Sequence, residues 1–151
     1  NVSRPVDAIF VDFSKAFDRV PHKRLFLKIR QLQLNQNTTR WIEEFLTKRF
    51  QAVKLNNHIS NQTRVSSGVP QGSVLGPLLF LIYINDIACS LKSPIRLFAD
   101  DFVVHREISN PDDTIILQSD LIRLEEWCSR WQMEINVEKT KHIMFSATPE
   151  T

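Results

Sequence analysis

Apolar residues recur along the first third of this chain with the periods of a strand and then of helices. Residues 6–12 are mostly apolar and rich in β-branched and aromatic side chains, which predicts a central strand that ends on Asp12. Apolar residues then recur at helical spacing over residues 25–32 and 41–46. Pro21 is suited to the first position of the earlier helix.

The middle of the chain alternates with a period of two and then becomes rich in glycine. Residues 50–55, the turn residues Asn56-Asn57 and a return strand at 62–65 predict a β-hairpin. The chain has three glycines, and all three lie four residues apart within residues 67–77. Glycine suits positions with positive φ or positions that another group approaches closely, so three glycines with two prolines predict a shaped loop that leads into a helix. The helix predicted at 78–88 is apolar nearly all round, so we expect it to be buried.

The last third contains a second hairpin, a long helix and a final strand. Residues 95–104 read as two short strands joined at Asp100-Asp101. Asn110 is followed by a proline and two acids, which predicts the start of an amphipathic helix. Residues 133–137 and 142–145 are the remaining strand candidates.

This order of elements predicts the fold class. A strand, two helices, a strand pair, a buried helix, a hairpin, a helix and a strand suit an α+β protein with helices packed on one face of an antiparallel sheet. The order contains a split βαβ arrangement with a ferredoxin-like core. We find no internal repeat or linker, so residues 1–151 are predicted to form one domain.

Composition excludes some classes of protein and leaves others open. The net charge of +2 is compatible with nucleic-acid binding without indicating it. The longest apolar run is too short to span a bilayer and no signal peptide is visible, so we expect no membrane contact. Cys89 and Cys128 lack partner spacing and are predicted to be reduced core thiols of an intracellular protein, with nucleus and cytoplasm not distinguished. The chain opens on Asn1, so we expect it to be a piece of something longer.

Three acids stand out as candidate metal ligands. In a split βαβ sheet the first and third strands are neighbours, so Asp12 would lie beside Asp100 and Asp101. Carboxylates this close repel unless a cation joins them, and Mg²⁺ prefers oxygen ligands. The alternative is an exposed turn next to an ordinary aspartate at a strand end, and spacing alone does not decide between the two.

Four segments in order resemble the palm motifs of reverse transcriptases. Residues 8–18 (AIFVDFSKAFD) resemble the first motif, residues 68–80 (GVPQGSVLGPLLF) the second, and residues 98–101 (FADD) the third. Asn136 with Lys139-Thr140-Lys141 resembles the fourth. The FADD form and the extended PQGS segment are similar to the non-LTR, LINE-type and jockey-like retrotransposon branch rather than to retroviral enzymes.

The resemblance implies a right-hand polymerase palm that binds two Mg²⁺ ions, with Mn²⁺ as a substitute. Asp12 and Asp100 would bind both ions, Asp101 would be a weaker ligand, and the carbonyl of Phe13 would join the metal shell. Three further residues are implied to contact the nucleotide: Phe17 as a steric gate against a ribose 2′-OH, and Gln71 and Gly72 at the nucleotide and template pocket. Lys139 or Lys141 would approach the triphosphate as a proton donor, and spacing does not settle which.

Several of these residues also have plainer interpretations. Phe17 suits a hydrophobic core, and Gln71 an ordinary loop. The two lysines suit solvated positions. Trp127 and Trp131 recur at helical spacing and are predicted to be core residues rather than base-stacking platforms. Six cations between positions 15 and 30 form a basic run that suits either a phosphate backbone or a solvated helix face: Lys15, Arg19, Lys23, Arg24, Lys28 and Arg30.

The resemblance implies a nucleotidyltransferase, an RNA-directed DNA polymerase, that uses an RNA template, a DNA primer and dNTPs. Most of the fingers, all of the thumb and an endonuclease would belong to a longer polyprotein, so we expect residues 1–151 alone to have little polymerase activity. The alternatives are a catalytically inactive palm remnant that binds nucleic acid at most, or a group II intron-type reverse transcriptase.

Overall fold

The computed structural model describes residues 4–146, which divide into two compact units. Of the described residues, 4–16 and 84–146 form unit 1, and 17–83 form unit 2. The elements in chain order are β1 Val6–Asp12, α1 Ala16–Arg19, α2 His22–Gln31, α3 Gln36–Thr47, β2 Phe50–Gln51, β3 Lys54–Leu55, β4 His58–Ile59, β5 Thr63–Arg64, α4 Leu75–Ile84, α5 Ile87–Ser90, β6 Ile95–Phe98, β7 Asp101–Glu107, α6 Pro111–Trp131 and β8 Lys141–Phe145.

Unit 1 is built on a four-stranded antiparallel sheet with the strand order β6-β7-β1-β8. Strand β1 lies between β7 and β8, so the first strand borders the third as the split βαβ pattern predicts. The predicted α+β class and the ferredoxin-like strand order are therefore confirmed. The predicted strand at residues 6–12 matches β1 at both ends.

Aromatic rings join the sheet of unit 1 to helix α6. The Phe13 ring lies 5.2 Å from the ring of Phe102 and 6.3 Å from that of Trp127. These side chains are buried, as is Leu124, one turn earlier on α6 than Trp127. Trp127 is thus a core residue as predicted, and one face of the sheet is covered by α6. Burial of several large side chains here supplies much of the stability of unit 1.

Helix α6 begins where the sequence predicts. The side chain of Asn110 accepts a hydrogen bond from the Asp112 N–H, and the carboxylate of Asp113 accepts from the backbone N–H of Asn110. This capping box satisfies N–H groups that the first helical turn leaves without partners. Arg106 of β7 also donates to Asp113 at 2.9 Å, which fixes the start of α6 against the sheet.

A fully buried carboxylate on α6 anchors the segment that leads into β6. Asp120 is 0% exposed and accepts backbone hydrogen bonds from Lys92 and Ser93 at 2.9 and 2.7 Å. Arg123 donates to the same carboxylate at 2.8 Å. Burial alone would raise the pKa of Asp120, but these donors outweigh burial and hold the pKa below its usual value.

Unit 2 contains the helix pair α2 and α3, helix α4 and a broken hairpin. The predicted hairpin forms two short ladders, β2 with β5 and β3 with β4, around the turn at Asn56. Lys28, part of the predicted basic run, is only 5% exposed. Its ammonium donates to the Tyr83 carbonyl at the end of α4 and lies 4.9 Å from the Tyr83 ring centroid. This lysine therefore binds a helix C-terminus and does not belong to a solvated face.

The glycine loop approaches the backbone of α1 closely. Gly68 has φ +85°, and a Cβ atom on it would lie 2.8 Å from the Asp18 carbonyl oxygen. The Gly68 N–H donates to the Val20 carbonyl, and the Val69 N–H donates to the Phe17 carbonyl at 2.8 Å. Gly72 has φ +79°, but a Cβ atom there would meet nothing within 4 Å. The predicted close approach is therefore real at Gly68.

Several predictions about local structure are wrong. The helix predicted at 78–88 is divided into α4 and α5, and Leu78 and Leu81 of α4 are 52% and 44% exposed. The strand predicted at 133–137 is reduced to one bridge between Ile135 and Phe13, because the chain there turns back toward β1. Cys89 is exposed, so only Cys128 is a core thiol.

Two further properties follow from burial and helix length. Burial raises the pKa of the Cys128 thiol to about 12, so this thiol is unreactive near neutral pH. Every helix within residues 4–146 is too short or too polar to cross a bilayer.

We expect Asp120→Asn to lower the free energy of unfolding by about 1–3 kcal/mol at pH 7, because buried N–H donors lose a charged acceptor. The pKa of Asp120 is lowered in the folded state, so its contribution is complete above the unfolded pKa and is lost as pH falls through the folded pKa. In urea unfolding, the difference in free energy of unfolding between Asp120→Asn and wild type should therefore become smaller below about pH 4. The exposed acid Glu125, changed to Gln, is the control. A difference of the same size at neutral and acid pH would contradict this account.

We expect Gly68→Ala to destabilise the protein more than Gly72→Ala, although both residues have positive φ. Alanine at Gly72 meets only backbone strain, about 1 kcal/mol, whereas alanine at Gly68 also meets backbone atoms that cannot move aside and should cost about 2 kcal/mol or more. Urea unfolding of the two variants measures the difference. Equal destabilisation would mean that the loop moves away from α1 easily.

Candidate active site

Two of the predicted acids face each other across the centre of the unit 1 sheet. Asp12 is the last residue of β1, Asp101 is the first residue of β7, and the two are register partners. Side chains of such partners lie on the same face with Cα atoms about 4.5–5.5 Å apart. The predicted approach of Asp12 to the hairpin is therefore confirmed. The side chain of Asp12 is 20% exposed, so solvent has access to it.

The third acid, Asp100, lies in the turn itself. Ala99 has φ +53°, and this left-handed residue reverses the chain between β6 and β7. The predicted hairpin is confirmed, with the turn at Ala99-Asp100 and Asp101 already in the strand. Among the described residues, no group of three or more His, Cys, Asp or Glu side chains is close enough to hold a metal ion. Asp12 is thus paired with Asp101 here, and the metal-binding role of Asp100 stays a prediction.

A lysine from a tight turn approaches Asp12. The Nζ atom of Lys139 lies 3.6 Å from the Asp12 Oδ2 atom. Asn136 organises this turn: its carbonyl accepts hydrogen bonds from the N–H groups of Lys139 and Thr140, and its own N–H donates to the Asp12 carbonyl at 2.8 Å. The fourth motif is therefore joined to the first through the backbone of Asn136.

Lys141 has a different environment from Lys139. Its ammonium donates to the Glu138 carbonyl at 3.0 Å, and its Cα is the register partner of Phe10, two residues before Asp12. Sequence spacing left Lys139 and Lys141 equivalent. The structure places Lys139 beside the acid.

The acids open into a cavity of about 410 Å³ on the face of the sheet that carries Phe10. Phe98 is 82% exposed and Phe10 is 41% exposed, which is unusual for large apolar side chains. The sequence analysis did not predict this exposed apolar surface. The available signal was the period of two along β6, which places Phe98 on the same face as Arg96. The lining consists of Phe10, Val11, Asp12, Arg96, Phe98, Asp101, Phe102, Val103 and Lys139.

Phe13, predicted to offer its carbonyl to a metal, follows Asp12 directly. Its side chain is 3% exposed and points into the core with Phe102 and Trp127. The ring therefore fixes the backbone at the end of β1. The role of the carbonyl stays a prediction.

The predicted nucleotide contacts belong to unit 2. The Phe17 ring stacks on that of Phe80 with centroids 4.5 Å apart. Gln71 is exposed, with its amide nitrogen 3.5 Å from the Asp18 carboxylate. Gly72 is exposed beside it, and the loop is joined to α1 by the hydrogen bond to the Phe17 carbonyl. Their participation in one site with the acids stays a prediction.

The donors at the acidic end of the sheet suit a hard divalent cation. Carboxylate oxygens are the ligands that Mg²⁺ prefers, and proteins often hold this ion through one or two carboxylates plus substrate phosphates. Asp12 and Asp101 supply two carboxylates on one face. The residues present therefore fit Mg²⁺.

The chain is similar to polymerases of mobile elements. It is 36% identical to a probable RNA-directed DNA polymerase from transposon X-element of Drosophila melanogaster, over 96% of this chain. It is 32% identical to the RNA-directed DNA polymerase from mobile element jockey of the same organism, over 91% of this chain. In both cases the chain spans 16% of the relative's length. The predicted resemblance to non-LTR, jockey-like retrotransposon polymerases is confirmed.

Solved structures show the same fold. Telomerase from Candida tropicalis, in complex with a fragment of telomeric RNA, matches 97% of this chain and 27% of its own chain with a TM-score of 0.75 at 16% sequence identity. The apo form of that telomerase matches 93% of this chain and 29% of its own with a TM-score of 0.70.

A family model described as reverse transcriptase (RNA-dependent DNA polymerase) matches residues 6–150, nearly the whole chain. This chain belongs to the reverse transcriptase family.

Proposed function

We propose that this chain forms the palm of an RNA-directed DNA polymerase of a non-LTR retrotransposon. The observation that supports the proposal is the pairing of Asp12 with Asp101 at the open end of the sheet, with Lys139 3.6 Å from Asp12. Two facing carboxylates beside a lysine suit nucleotidyl transfer, in which negative charge moves from the attacking 3′-oxygen of the primer to the leaving oxygen of pyrophosphate.

The reaction joins a nucleotide to a DNA primer on an RNA template. The primer 3′-oxygen forms a bond to the α-phosphorus of a dNTP, the bond from that phosphorus to pyrophosphate breaks, and the 3′-hydroxyl proton passes to solvent water. Asp12, Asp100 and Asp101 would hold Mg²⁺ through their carboxylates. When bound, the metal supplies charge stabilisation at the attacking and leaving oxygens.

The protein side chains have separate tasks in this proposal. Asp12 and Asp101 would hold the metal ion at one face of the sheet and thereby position the reacting end of the primer and the nucleotide. Lys139 carries a proton at Nζ close to the acids and would neutralise charge on the triphosphate or on departing pyrophosphate. Phe17 would exclude a ribose 2′-OH, and Gln71 with Gly72 would border the base pair.

The relatives' length supports a larger parent protein. The chain spans 16% of the X-element and jockey polymerases. We therefore include the remaining fingers, a thumb and an endonuclease among the partners of the palm within a longer polyprotein.

We expect Asp12→Asn to weaken Mn²⁺ binding at least about tenfold, a loss of about 1.4 kcal/mol of binding free energy, because the site loses one of its charges. Titration of the purified chain, followed by the paramagnetic Mn²⁺ signal, measures the affinity. Asp112→Asn, an exposed acid at the start of α6, is the matched control and should bind like wild type. The same titration of Asp100→Asn and Asp101→Asn ranks the three acids by their contribution to Mn²⁺ affinity. Equal affinities of wild type and Asp12→Asn would instead favour a catalytically inactive remnant.

We expect Lys139→Gln to strengthen Mn²⁺ binding by about two- to fivefold, because a cation near Asp12 is removed. The Lys139 side chain is 69% exposed, so solvent screening keeps the effect small. Lys141→Gln is the control on the same segment. It should change the Mn²⁺ affinity by less than about twofold, because exposed charges that are not in contact interact weakly. Equal effects of the two variants would show that position beside Asp12 does not distinguish the lysines.

A further inference from the structure

Charge is divided unequally between the two units. Residues 17–83 contain ten lysines and arginines against three aspartates and glutamates, a net charge of +7. The remaining residues contain nine against fourteen, a net charge of −5. The +2 of the whole chain therefore conceals a strongly basic unit 2, and such an excess is typical of surfaces that contact nucleic acid.

The most exposed part of unit 2 is the basic hairpin, which we define as residues 49–65. All eight residues of strands β2 to β5 are exposed. No acid occurs between positions 45 and 85 of the sequence. The hairpin carries Arg49, Lys54, His58 and Arg64 and no negative charge.

Large apolar side chains of the basic hairpin also face solvent. Phe50 is 63% exposed, Val53 71%, Leu55 71% and Ile59 69%. A two-stranded ribbon that exposes this much apolar surface has little stability of its own and is prone to associate. Four such residues on one hairpin mark a surface that binds a partner.

The register of the basic hairpin places these apolar residues beside basic ones. Phe50 is the partner of Arg64, Ile59 of Lys54, and Leu55 of His58. Side chains of register partners share a face, so each pair presents an apolar surface next to a basic nitrogen. Single-stranded nucleic acid is bound in this way, with bases stacked on rings and phosphates near cations.

The base of the basic hairpin is closed by its own backbone and makes one contact with the end of α3. The Val65 N–H donates to the Arg49 carbonyl at 3.0 Å, and Arg64 approaches the Thr47 carbonyl at the end of α3. Between the two ladders, Val53 and Ser60 exchange hydrogen bonds, with the Ser60 N–H donating to the Val53 carbonyl and the Val53 N–H donating to the Ser60 hydroxyl. The hairpin is therefore held together by its own hydrogen bonds, and among the hydrogen bonds and ion pairs of the described residues none involves the side chain of Lys54 or of Phe50.

We infer that the basic hairpin binds a single RNA strand, with Phe50 stacked on an unpaired base and Lys54 next to a phosphate. A single strand is required because a base inside a duplex offers no free face to Phe50. The choice of RNA rests on the proposed function, since the template of this family is RNA.

Fluorescence anisotropy with a labelled RNA of about 12 unpaired nucleotides tests this inference, at salt concentrations from about 50 to 200 mM. Lys54→Gln should weaken binding and reduce the slope of log K against log salt by about 0.7, the value for one phosphate contact on a single strand. Phe50→Ala should weaken binding about tenfold and leave that slope unchanged. An RNA duplex should bind without dependence on Phe50.

Matched controls separate these effects from general loss of charge or apolar surface. Arg130→Gln removes an exposed cation from α6, and Ile115→Ala removes an apolar side chain that is 65% exposed there. Both should bind RNA like wild type. Circular dichroism confirms that each variant is folded, which we expect because every substituted side chain is exposed.

Other results would overturn the inference. Equal binding by wild type, Lys54→Gln and Phe50→Ala would do so, as would no binding of RNA by wild type at low salt. If Lys54→Gln and Phe50→Ala bind RNA like wild type but bind vesicles of phosphatidylserine and phosphatidylcholine more weakly, the hairpin is a membrane-binding surface. If the two variants lose only self-association in sedimentation, the hairpin is a protein interface. The Mn²⁺ titration of Asp12→Asn does not involve the hairpin, so failure here leaves the proposed function standing.

Discussion

The register between β1 and β7 is the constraint on which the candidate site depends. Asp12 and Asp101 face each other because seven consecutive residue pairs of these strands are in step. A slip of one residue would send every side chain of β7 to the other face of the sheet, which would bury Asp101 and expose Phe102. The burial of Phe102 against Phe13 therefore determines where the acids lie.

Contacts behind the sheet keep that register from slipping. Asp120 holds the residues before β6 through two backbone N–H groups, and Asp113 holds the residues after β7 in the same way. The hairpin that carries the acids is thus held at both of its outer ends by carboxylates of one helix, α6. Asn136 adds a third support at the end of β1 through the Asp12 carbonyl. Two carboxylate side chains and one backbone N–H that perform no chemistry in the proposal therefore position the groups that do.

The features that the sequence predicted well are those set by neighbouring residues. Strand β1, the Asp100-Asp101 hairpin and the start of α6 depend on local periodicity, turn residues and capping, and each lies where it was predicted. The burial of Lys28 could not be read in this way, because its acceptor is the carbonyl of Tyr83, 55 residues later. The same holds for Asp120, whose partners lie 27 and 28 residues earlier. Spacing likewise gave no means to choose Lys139 over Lys141, since that choice depends on how Asn136 turns the chain back to Asp12.

The approach of Lys139 to Asp12 agrees with a metal-binding role for the acid. An ion pair this exposed contributes at most about 1 kcal/mol, because water screens it and the long side chain loses freedom. A divalent cation held by two carboxylates and by substrate phosphates would gain more than that, so under the proposed function the ion would replace the lysine at the Asp12 carboxylate. The Lys139 ammonium would then be free to approach the phosphates, where its charge and proton suit a leaving pyrophosphate.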